Sequence, residues 1–363
     1  MPGPFGAALR SSVSTVTELR AFLRERGIDP AVAGVGDDDE PTVLPVRIPR
    51  YYLDLIDWSD RNDPLRRQVL PLPDEQAVLP DDLRDPIGDE SHSPVPGIVH
   101  RYPDRALFLL TATCAVHCRF CFRREFIGKP ARTLRKDQFE GALRYLAEHD
   151  EIWEVILSGG DPLVFPDAYL ETVFRRLREI PHLKIVRIHT RVPAIFPPRL
   201  TPAFAEMARR YAPVYLVIHV NHPREVSLEF VRQVEQCVDR GIPVLSQTVL
   251  LRGVNDDVAT LSALFKRLVE ARVKPYYLHQ LDRAPGTNHF RVPIQEGLRL
   301  MEGLRGHISG LCLPTYVLDI PGGHGKVPLT PAYVHLVRDR VYEVVNHRGE
   351  RFSYEEPAVS PDC

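Results

Sequence analysis

The 363-residue sequence predicts an α/β protein built on a partial, TIM-like (β/α)6 barrel, with an N-terminal helical and irregular cap and a C-terminal extension. Two observations support this fold class. From residue 106 onward, six short runs of β-branched and aromatic residues alternate with helical patterns, which is typical of a parallel sheet. Polar residues follow these runs at their carboxyl ends, where parallel barrels carry their functional groups. Six repeats are two fewer than a complete barrel.

The predicted strands are ALFLLT, IWEVIL, KIVRIHT, VYLVIHV, PVLSQTVL and KPYYLHQL. Helical periodicity predicts the intervening helices over residues 136–148, 168–180, 202–211, 225–240, 258–271 and 296–307. We assign residues 1–97 to the cap, with an amphipathic helix over 13–26, and residues 98–310 to the barrel. Residues 311–363 form the extension, which contains PTYVLDI, the glycine-rich turn PGGHGK and a predicted hairpin, VYEVVNHRGERFSY.

Composition narrows the class of function. The 46 basic and 48 acidic residues nearly cancel, which argues against nucleic acid or an anionic membrane as a partner. No run approaches the roughly 18 apolar residues of a membrane span, and the first residues lack the apolar run of a signal peptide. These features predict a cytoplasmic enzyme that acts on a small molecule. Three of the six cysteines fall within eight residues, a spacing that favours metal ligation over disulfides.

The clustered cysteines are Cys114, Cys118 and Cys121, in the segment CAVHCRFC after the first predicted strand. Three thiolates suit a cube-shaped [4Fe–4S] cluster whose fourth iron stays open to S-adenosylmethionine. The alternative is a zinc site with His117 as the fourth ligand. It is disfavoured because structural zinc motifs usually pair one close set of ligands with a second set, which the sequence lacks. The spacing Cys-x3-Cys-x2-Cys at this place resembles the radical S-adenosylmethionine superfamily.

A second polar turn, Ser158-Gly159-Gly160-Asp161, ends the second predicted strand. Glycines let a backbone approach a ligand closely, and the Asp161 carboxylate could pair with an ammonium group. The superfamily resemblance implies that this turn meets the methionyl amino group of S-adenosylmethionine. We assign His219, at the end of the fourth strand, to the same binding site.

Motifs spread over residues 45–357 resemble the lysine 2,3-aminomutase family. They are HRYPDR, CxxxCxxCxRR, SGGDPL, NHP, LLRGVND, PYY, HFRVP, EGLRGHxSG and DxPGGxGK. The resemblance implies a second cofactor, pyridoxal phosphate, bound as a Schiff base to the lysine of the glycine-rich turn, which is Lys326 here. The chain has 6 lysines against 40 arginines, so each lysine is individually informative. A lysine on a flexible turn suits Schiff-base chemistry.

The resemblance also implies the other contacts of the site. It assigns pyridoxal phosphate contacts to Arg101, Tyr102, Arg105, Gln247 and His279. Arg123 matches the partner of the substrate α-carboxylate, for which a guanidinium fork is suited. Asp282 and Asp319 match two aspartates that hold the remote ammonium of lysine, where paired carboxylates offset its desolvation.

Three departures from the family pattern stand out. His324 replaces a glycine of the lysine turn, and His279 stands where clostridial-type enzymes have a tyrosine. The family's zinc ligands are not matched, because the tail holds only Cys363 and the VND turn continues with Asp257. We therefore predict no zinc site.

The activity implied is the interconversion of L-lysine and β-lysine, with flavodoxin or ferredoxin as the class of electron donor. A homo-oligomer is compatible with the sequence. The alternatives are a paralogue that makes (R)-β-lysine for elongation factor P, towards which PYYLHQLD points, and an aminomutase for arginine or glutamate. A non-catalytic iron–sulfur or zinc-binding barrel is the alternative from another class.

Overall fold

The computed structural model describes residues 4–36, 44–129 and 133–357, which form a curved nine-stranded sheet flanked by helices and a separate three-stranded sheet. The strands of the large sheet are β1 Ile98–Tyr102, β2 Arg105–Thr111, β3 Glu154–Gly159, β4 Ile185–Thr190, β5 Val214–His219, β6 Val244–Val249, β7 Lys274–His279, β8 Thr315–Asp319 and β9 Lys326–Pro328. They are hydrogen-bonded in chain order. The pairs from β2 to β8 are parallel, whereas β1 and β9 run antiparallel to their neighbours.

The six predicted barrel strands are confirmed as β2 to β7, and the partial α/β barrel with them. The structure adds a seventh parallel strand, β8, from the segment that the sequence analysis placed in the extension. PTYVLDI follows the sixth helix just as each earlier strand follows a helix, so it joins the sheet by the same kind of crossover. The carboxyl end of β8 thereby brings Asp319 to the same edge as the other polar residues.

Eleven helices occur in the described ranges. They are α1 Pro4–Arg10, α2 Val16–Glu25, α3 Arg50–Leu53, α4 Pro64–Arg67, α5 Lys136–Glu148, α6 Asp167–Arg178, α7 Val192–Ile195, α8 Pro202–Arg210, α9 Leu228–Val238, α10 Val258–Glu270 and α11 Ile294–Leu304. The amphipathic helix of the cap and the six barrel helices are confirmed within a few residues. Helix α9 begins three residues later than predicted, after Ser227, because this side chain accepts a hydrogen bond from Phe230 N as the N-cap.

The helices pack by one apolar face against the sheet. Helix α6 buries Leu170, Val173, Phe174 and Leu177, the spacing of a single helical stripe. Buried side chains of the cap, including Phe22 in α2, belong to the same hydrophobic cluster as those of the barrel strands. The cap is therefore packed on the barrel, and a domain boundary at residue 97 stays a prediction.

The C-terminal strands are β10 Val334–Arg338, β11 Val341–Val345 and β12 Arg351–Glu355, which form an antiparallel sheet. The pair β11 and β12 confirms the predicted hairpin. Every side chain of β10 and β12 is exposed. Among the described helices, we find none with the length and apolarity needed to cross a membrane.

Curvature brings the two edges of the large sheet together. Tyr102, at the end of β1, accepts a hydrogen bond through its hydroxyl from Lys326 N, at the start of β9, over 2.8 Å. The cap reaches the same place through Gly88, which has a φ of +67° and would put a Cβ 2.6 Å from the Gly322 carbonyl carbon. Glycine at position 88 therefore lets the cap lie against the lysine turn.

Candidate active site

The inside of the curved sheet and the carboxyl ends of its strands enclose one cavity of about 420 Å³. Of the residues predicted for the site, all except Ser158 line this cavity. They are Arg101, Tyr102, Arg105, Cys114, Cys118, Cys121, Arg123, Gly159, Gly160, Asp161, His219, Gln247, His279, Asp282, Asp319 and Lys326. Ser158 lies beside them, because Arg123 Nη1 is 3.3 Å from its hydroxyl oxygen. The fold thus brings distant parts of the chain to one place.

The cysteine loop follows β2 and forms one wall of the cavity. Burial raises the pKa of Cys114 and Cys118, and it raises that of Cys121 to about 12. Burial therefore favours the neutral thiols, and a positively charged metal core would favour the thiolates. The rise for Cys118 is opposed by Arg191, whose Nη1 donates a hydrogen bond to the Cys118 Sγ at 2.9 Å.

The loop geometry does not favour the zinc alternative. His117 is bound through Nδ1 to the Pro45 carbonyl oxygen at 2.7 Å and does not line the cavity. Among the described residues, no three ligand atoms of His117 and the three cysteines lie within 4.8 Å of one another. A single zinc ion, with bonds of about 2.0–2.3 Å, would need them closer.

The glycines after β3 have a structural reason that the sequence analysis did not foresee. Gly159 has a φ of +112°, and a Cβ on Gly160 would lie 2.2 Å from the Thr113 carbonyl oxygen. Gly160 N donates to the Thr111 carbonyl oxygen at 2.5 Å. The glycines therefore let this turn pack on the chain that leads into the cysteine loop, and they also border the cavity.

Asp161 is hydrogen-bonded within the protein. Its two carboxylate oxygens accept hydrogen bonds from Leu163 N, Thr190 Oγ1 and Arg191 N over 2.7–3.0 Å. The carboxylate is therefore used within the protein, where it ties the end of β3 to the end of β4. Asp161 also lines the cavity, and its predicted pairing with an ammonium group stays a prediction.

His219 lies at the end of β5 as a neutral imidazole. Burial, together with the charge of Arg191, lowers its pKa to about 3. Its Nε2 lies 3.0 Å from Asn221 Oδ1, and its ring packs against Phe120 at a centroid distance of 5.4 Å. It can therefore offer a hydrogen bond or a stacking surface without adding charge.

Two aspartates with opposite pKa shifts lie near the lysine of the glycine-rich turn. Burial would raise the pKa of Asp319, but the hydrogen bond of His279 and the charge of Lys326 outweigh it and lower the pKa to about 2. Lys326 Nζ lies 2.5 Å from Asp319 Oδ1. Burial and the neighbouring charge of Asp319 raise the pKa of Asp282 to about 7. A second ammonium group near Asp282 would favour its ionised form.

Arg123 is held from the cap by a residue that the sequence analysis missed. Arg123 Nε donates to Asp89 Oδ2 at 2.6 Å, and Asp89 Oδ1 lies 3.5 Å from Arg101 Nη2. Asp89 belongs to an acidic stretch of the cap, and nothing in the local sequence distinguishes it from its neighbours. Asp89 thus occupies Nε of a guanidinium that lines the cavity.

Three further arginines, from β1, β2 and β4, make the cavity rich in cations. Arg101, Arg105 and Arg187 all line it. Arg187 Nη2 pairs with Glu154 Oε2 at 2.6 Å, yet its buried Nε has no hydrogen-bond partner among the described residues. Sequence reasoning missed Arg187, although an arginine in the apolar run KIVRIHT was a signal for a charge inside the barrel.

Two buried imidazole nitrogens at the same cavity, Nε2 of His189 and of His279, also have no partner in the described parts of the chain. Buried polar atoms are nearly always hydrogen-bonded in native proteins. The unpaired ring nitrogens show room for a polar ligand, and the three arginines, with the unpaired Nε–H of Arg187, fit an anionic one such as a phosphorylated cofactor. Tyr102 and Gln247 border the same region.

The fold and the site define a radical S-adenosylmethionine enzyme. A family model described as the radical SAM superfamily matches residues 108–264, and one described as lysine-2,3-aminomutase matches residues 301–361. The L-lysine 2,3-aminomutase of Clostridium subterminale is 41% identical over 98% of this chain and 85% of its own length. The L-lysine 2,3-aminomutase of Bacillus subtilis is 42% identical over 90% of this chain and 70% of its own length.

The chain belongs to the lysine 2,3-aminomutase family, as the motifs predicted. At the level of the family, the predicted cofactors are confirmed as a [4Fe–4S] cluster, S-adenosylmethionine and pyridoxal phosphate. A glutamate 2,3-aminomutase of Clostridioides difficile is 41% identical over 78% of this chain and 67% of its own length. Identity alone therefore does not select the substrate, and the charges of the cavity have to do so.

Proposed function

We propose that this protein is an L-lysine 2,3-aminomutase. The observation that carries the proposal is the contact between Lys326 Nζ and Asp319 at 2.5 Å. Asp319, at the acidic end of the cavity, thus pairs with a primary ammonium group of the chain itself. Asp282 adds a second carboxylate there, and Arg123 supplies a cation that also borders the cavity. Lysine carries a carboxylate and a distant ammonium that match these charges.

We propose the following residues for the cofactors. Cys114, Cys118 and Cys121 hold the cluster, and His219 with the backbone of residues 158–160 contacts S-adenosylmethionine. Lys326 carries pyridoxal phosphate, and the other residues that contact this cofactor are Arg101, Tyr102, Arg105, Gln247 and His279. When bound, the cluster and S-adenosylmethionine supply a carbon radical that takes a hydrogen atom from the β-carbon and returns it to the α-carbon, while pyridoxal phosphate supplies the carbonyl carbon that carries the migrating nitrogen.

The chain's own contribution is to orient the substrate and to exclude water. The terminal nitrogens of Arg123 fix the α-carboxylate, since Asp89 holds this guanidinium from its other edge. Asp282 and Asp319 fix the remote ammonium. Phe120, Leu281 and Val249 form apolar parts of the cavity wall, where few hydrogen-bond donors compete.

A substrate panel tests the proposal. Reduced enzyme with S-adenosylmethionine and pyridoxal phosphate is incubated separately with lysine, arginine and glutamate, and β-amino acids are measured by chromatography. We expect turnover of lysine, because a side-chain carboxylate would be repelled by the aspartate pair. Arginine is the closest competitor, since its guanidinium also seeks carboxylates. Turnover of arginine or glutamate without lysine would contradict the proposal.

Variants of the aspartates make the test specific. Asp282→Asn or Asp319→Asn leaves the ammonium underpaired in a desolvated site, at a cost of roughly 2–5 kcal/mol. We expect kcat/KM for lysine to fall about 30-fold or more. The matched control is Asp150→Asn, which changes an exposed carboxylate after α5 and should leave kcat/KM unchanged.

We further propose that the cluster is reduced by a protein of the flavodoxin or ferredoxin class. A cytoplasmic location, a homo-oligomer and the use of β-lysine for elongation factor P stay predictions. The non-catalytic alternative is disfavoured because the three cysteines, Arg123 and Lys326 are all present and all line one cavity.

A further inference from the structure

Arg191 contacts the cysteine loop, although the sequence did not predict it to bind a cofactor or the substrate. It directly follows β4, and its side chain is only 6% exposed. Its Nη1 donates a hydrogen bond to Cys118 Sγ at 2.9 Å. A guanidinium therefore lies against one of the three sulfurs that we assign to the cluster.

The surroundings hold Arg191 in this orientation. Its Nη2 donates to Gln68 Oε1 at 2.8 Å and to Glu225 Oε1 at 2.9 Å. Its backbone N–H donates to Asp161 Oδ2 at 2.7 Å. Glu225 is fully buried and also accepts a hydrogen bond from the Tyr52 hydroxyl. The backbone and Nη2 of Arg191 are thus both held by hydrogen bonds, and Nη1 is directed at the Cys118 sulfur.

We propose that Arg191 is a positioning residue that orients the Cys118 thiolate and raises the reduction potential of the cluster. Hydrogen bonds to ligating sulfurs are among the factors that set the potential of iron–sulfur clusters. One-electron reduction adds negative charge to the cluster and its thiolates, so a nearby cation and an N–H donor stabilise the reduced state more than the oxidised one. The proposal rests on the proposed ligation of the cluster by Cys118.

The test uses two variants and a matched control. Arg191→Lys keeps a cation but loses the guanidinium fork. Because a lone substitution leaves Glu225 buried without its cation, the double variant Arg191→Met/Glu225→Gln removes both charges and keeps the network neutral. The control, Arg199→Lys, changes another buried arginine. Its guanidinium donates hydrogen bonds to the Leu163 and Phe165 carbonyl oxygens rather than to a cysteine sulfur.

Each full-length protein is reconstituted anaerobically, its iron content is measured, and the cluster is titrated with dithionite while the reduced state is followed by electron paramagnetic resonance. We expect full iron content, with the ratio of reduced to oxidised cluster at a fixed potential at least tenfold lower in the double variant, or ~59 mV for one electron. Arg191→Lys should show a smaller shift, and Arg199→Lys none.

An unchanged potential in the double variant with a full cluster would overturn the role of Arg191. A shift of the same size in Arg199→Lys would overturn it as well, since any loss of a buried arginine would then suffice. Failure of the proposed ligation is recognised separately, because Cys118→Ala would then retain a full complement of cluster iron.

Discussion

At the scale of single residues, Asp282 and Asp319 in the same cavity have pKa values shifted in opposite directions by their surroundings. Asp319 is held ionised by Lys326 and His279, whereas the pKa of Asp282 is raised to about 7 by burial and by the charge of Asp319. Only Asp282 therefore changes charge near neutral pH. Its ionised form is the one that can offset a buried substrate ammonium.

This difference predicts a pH dependence. Asp282 is neutral below its pKa and charged above it, so kcat/KM for lysine should fall as the pH is lowered through about 7. The positive charge of Lys326 lowers the pKa of Asp282. Lys326 loses this charge when it carries the cofactor, so the pH at which kcat/KM falls should then be the same or higher. The measurement is kcat/KM across the neutral range for the parent enzyme and Asp282→Asn. An identical acid limb in both would assign it to another group.

Lys326 leads to a second prediction at this scale. Because it alone among the lysines lines the described cavity, borohydride reduction of the pyridoxal phosphate enzyme should fix the cofactor to Lys326, as found by peptide mass mapping. Lys274 is the internal control, since its ammonium donates to the Leu311 and Leu313 carbonyl oxygens. A reduced adduct on Lys274 instead would show that the cofactor assignment is wrong.

At the scale of elements, the turn after β3 is fixed by packing. A Cβ on Gly160 would lie 2.2 Å from the Thr113 carbonyl oxygen, so Gly160→Ala should destabilise the fold by roughly 1–3 kcal/mol. The matched control is Gly141→Ala within α5, where the added Cβ meets nothing within 4 Å and should stabilise by about 0.5–1 kcal/mol. Thermal unfolding of both variants checks this. Equal melting temperatures for the two would contradict it.

The cysteine loop is anchored to the cap by a buried carboxylate. Glu75 accepts hydrogen bonds from Arg119 Nε at 2.8 Å and from Arg124 Nη2 at 3.0 Å, and Arg119 is fully buried. Glu75→Gln leaves two buried guanidiniums without their anion, so we expect a loss of about 3–5 kcal/mol in the free energy of unfolding.

Chemical denaturation of Glu75→Gln, together with its iron content after reconstitution, measures this effect. Glu179→Gln is the control, because it removes an exposed i,i+4 partner of Arg175 and should change stability by at most about 0.5 kcal/mol. If Glu75→Gln proves as stable as Glu179→Gln, the cap does not anchor the loop as described.

Sequence patterns predicted these elements unevenly, for physical reasons. Helix α5 occupies the predicted residues, because its apolar spacing is local and strong. Strand β8 was left outside the barrel because its place depends on pairing with β7, a non-local contact that periodicity does not show. The glycines after β3 were predicted as a ligand turn, but their steric need arises from Thr113, which lies far away in sequence.

At the scale of the whole molecule, the predicted site residues converge because parallel strands deliver them to one cavity. The residues that were missed hold others in place from remote segments. Asp89 and Glu75 act from the cap on the loop after β2, and Arg191 acts on Cys118 from β4. Chemistry-bearing motifs are local in sequence, whereas the partners that orient them are set by tertiary packing. The absence of zinc also stays a prediction, and Cys363 lies outside the described residues.

The claim that hydrogen atom transfer drives the amino migration is tested by following the β-hydrogen. Reduced enzyme is incubated with lysine that carries deuterium at the β-carbon, and the label is located by mass spectrometry and nuclear magnetic resonance. We predict that the deuterium moves to the α-carbon of β-lysine and into recovered S-adenosylmethionine, because a hydrogen atom carried on a carbon radical does not exchange with solvent. Release of the label to solvent, as expected for proton transfer, would contradict this mechanism.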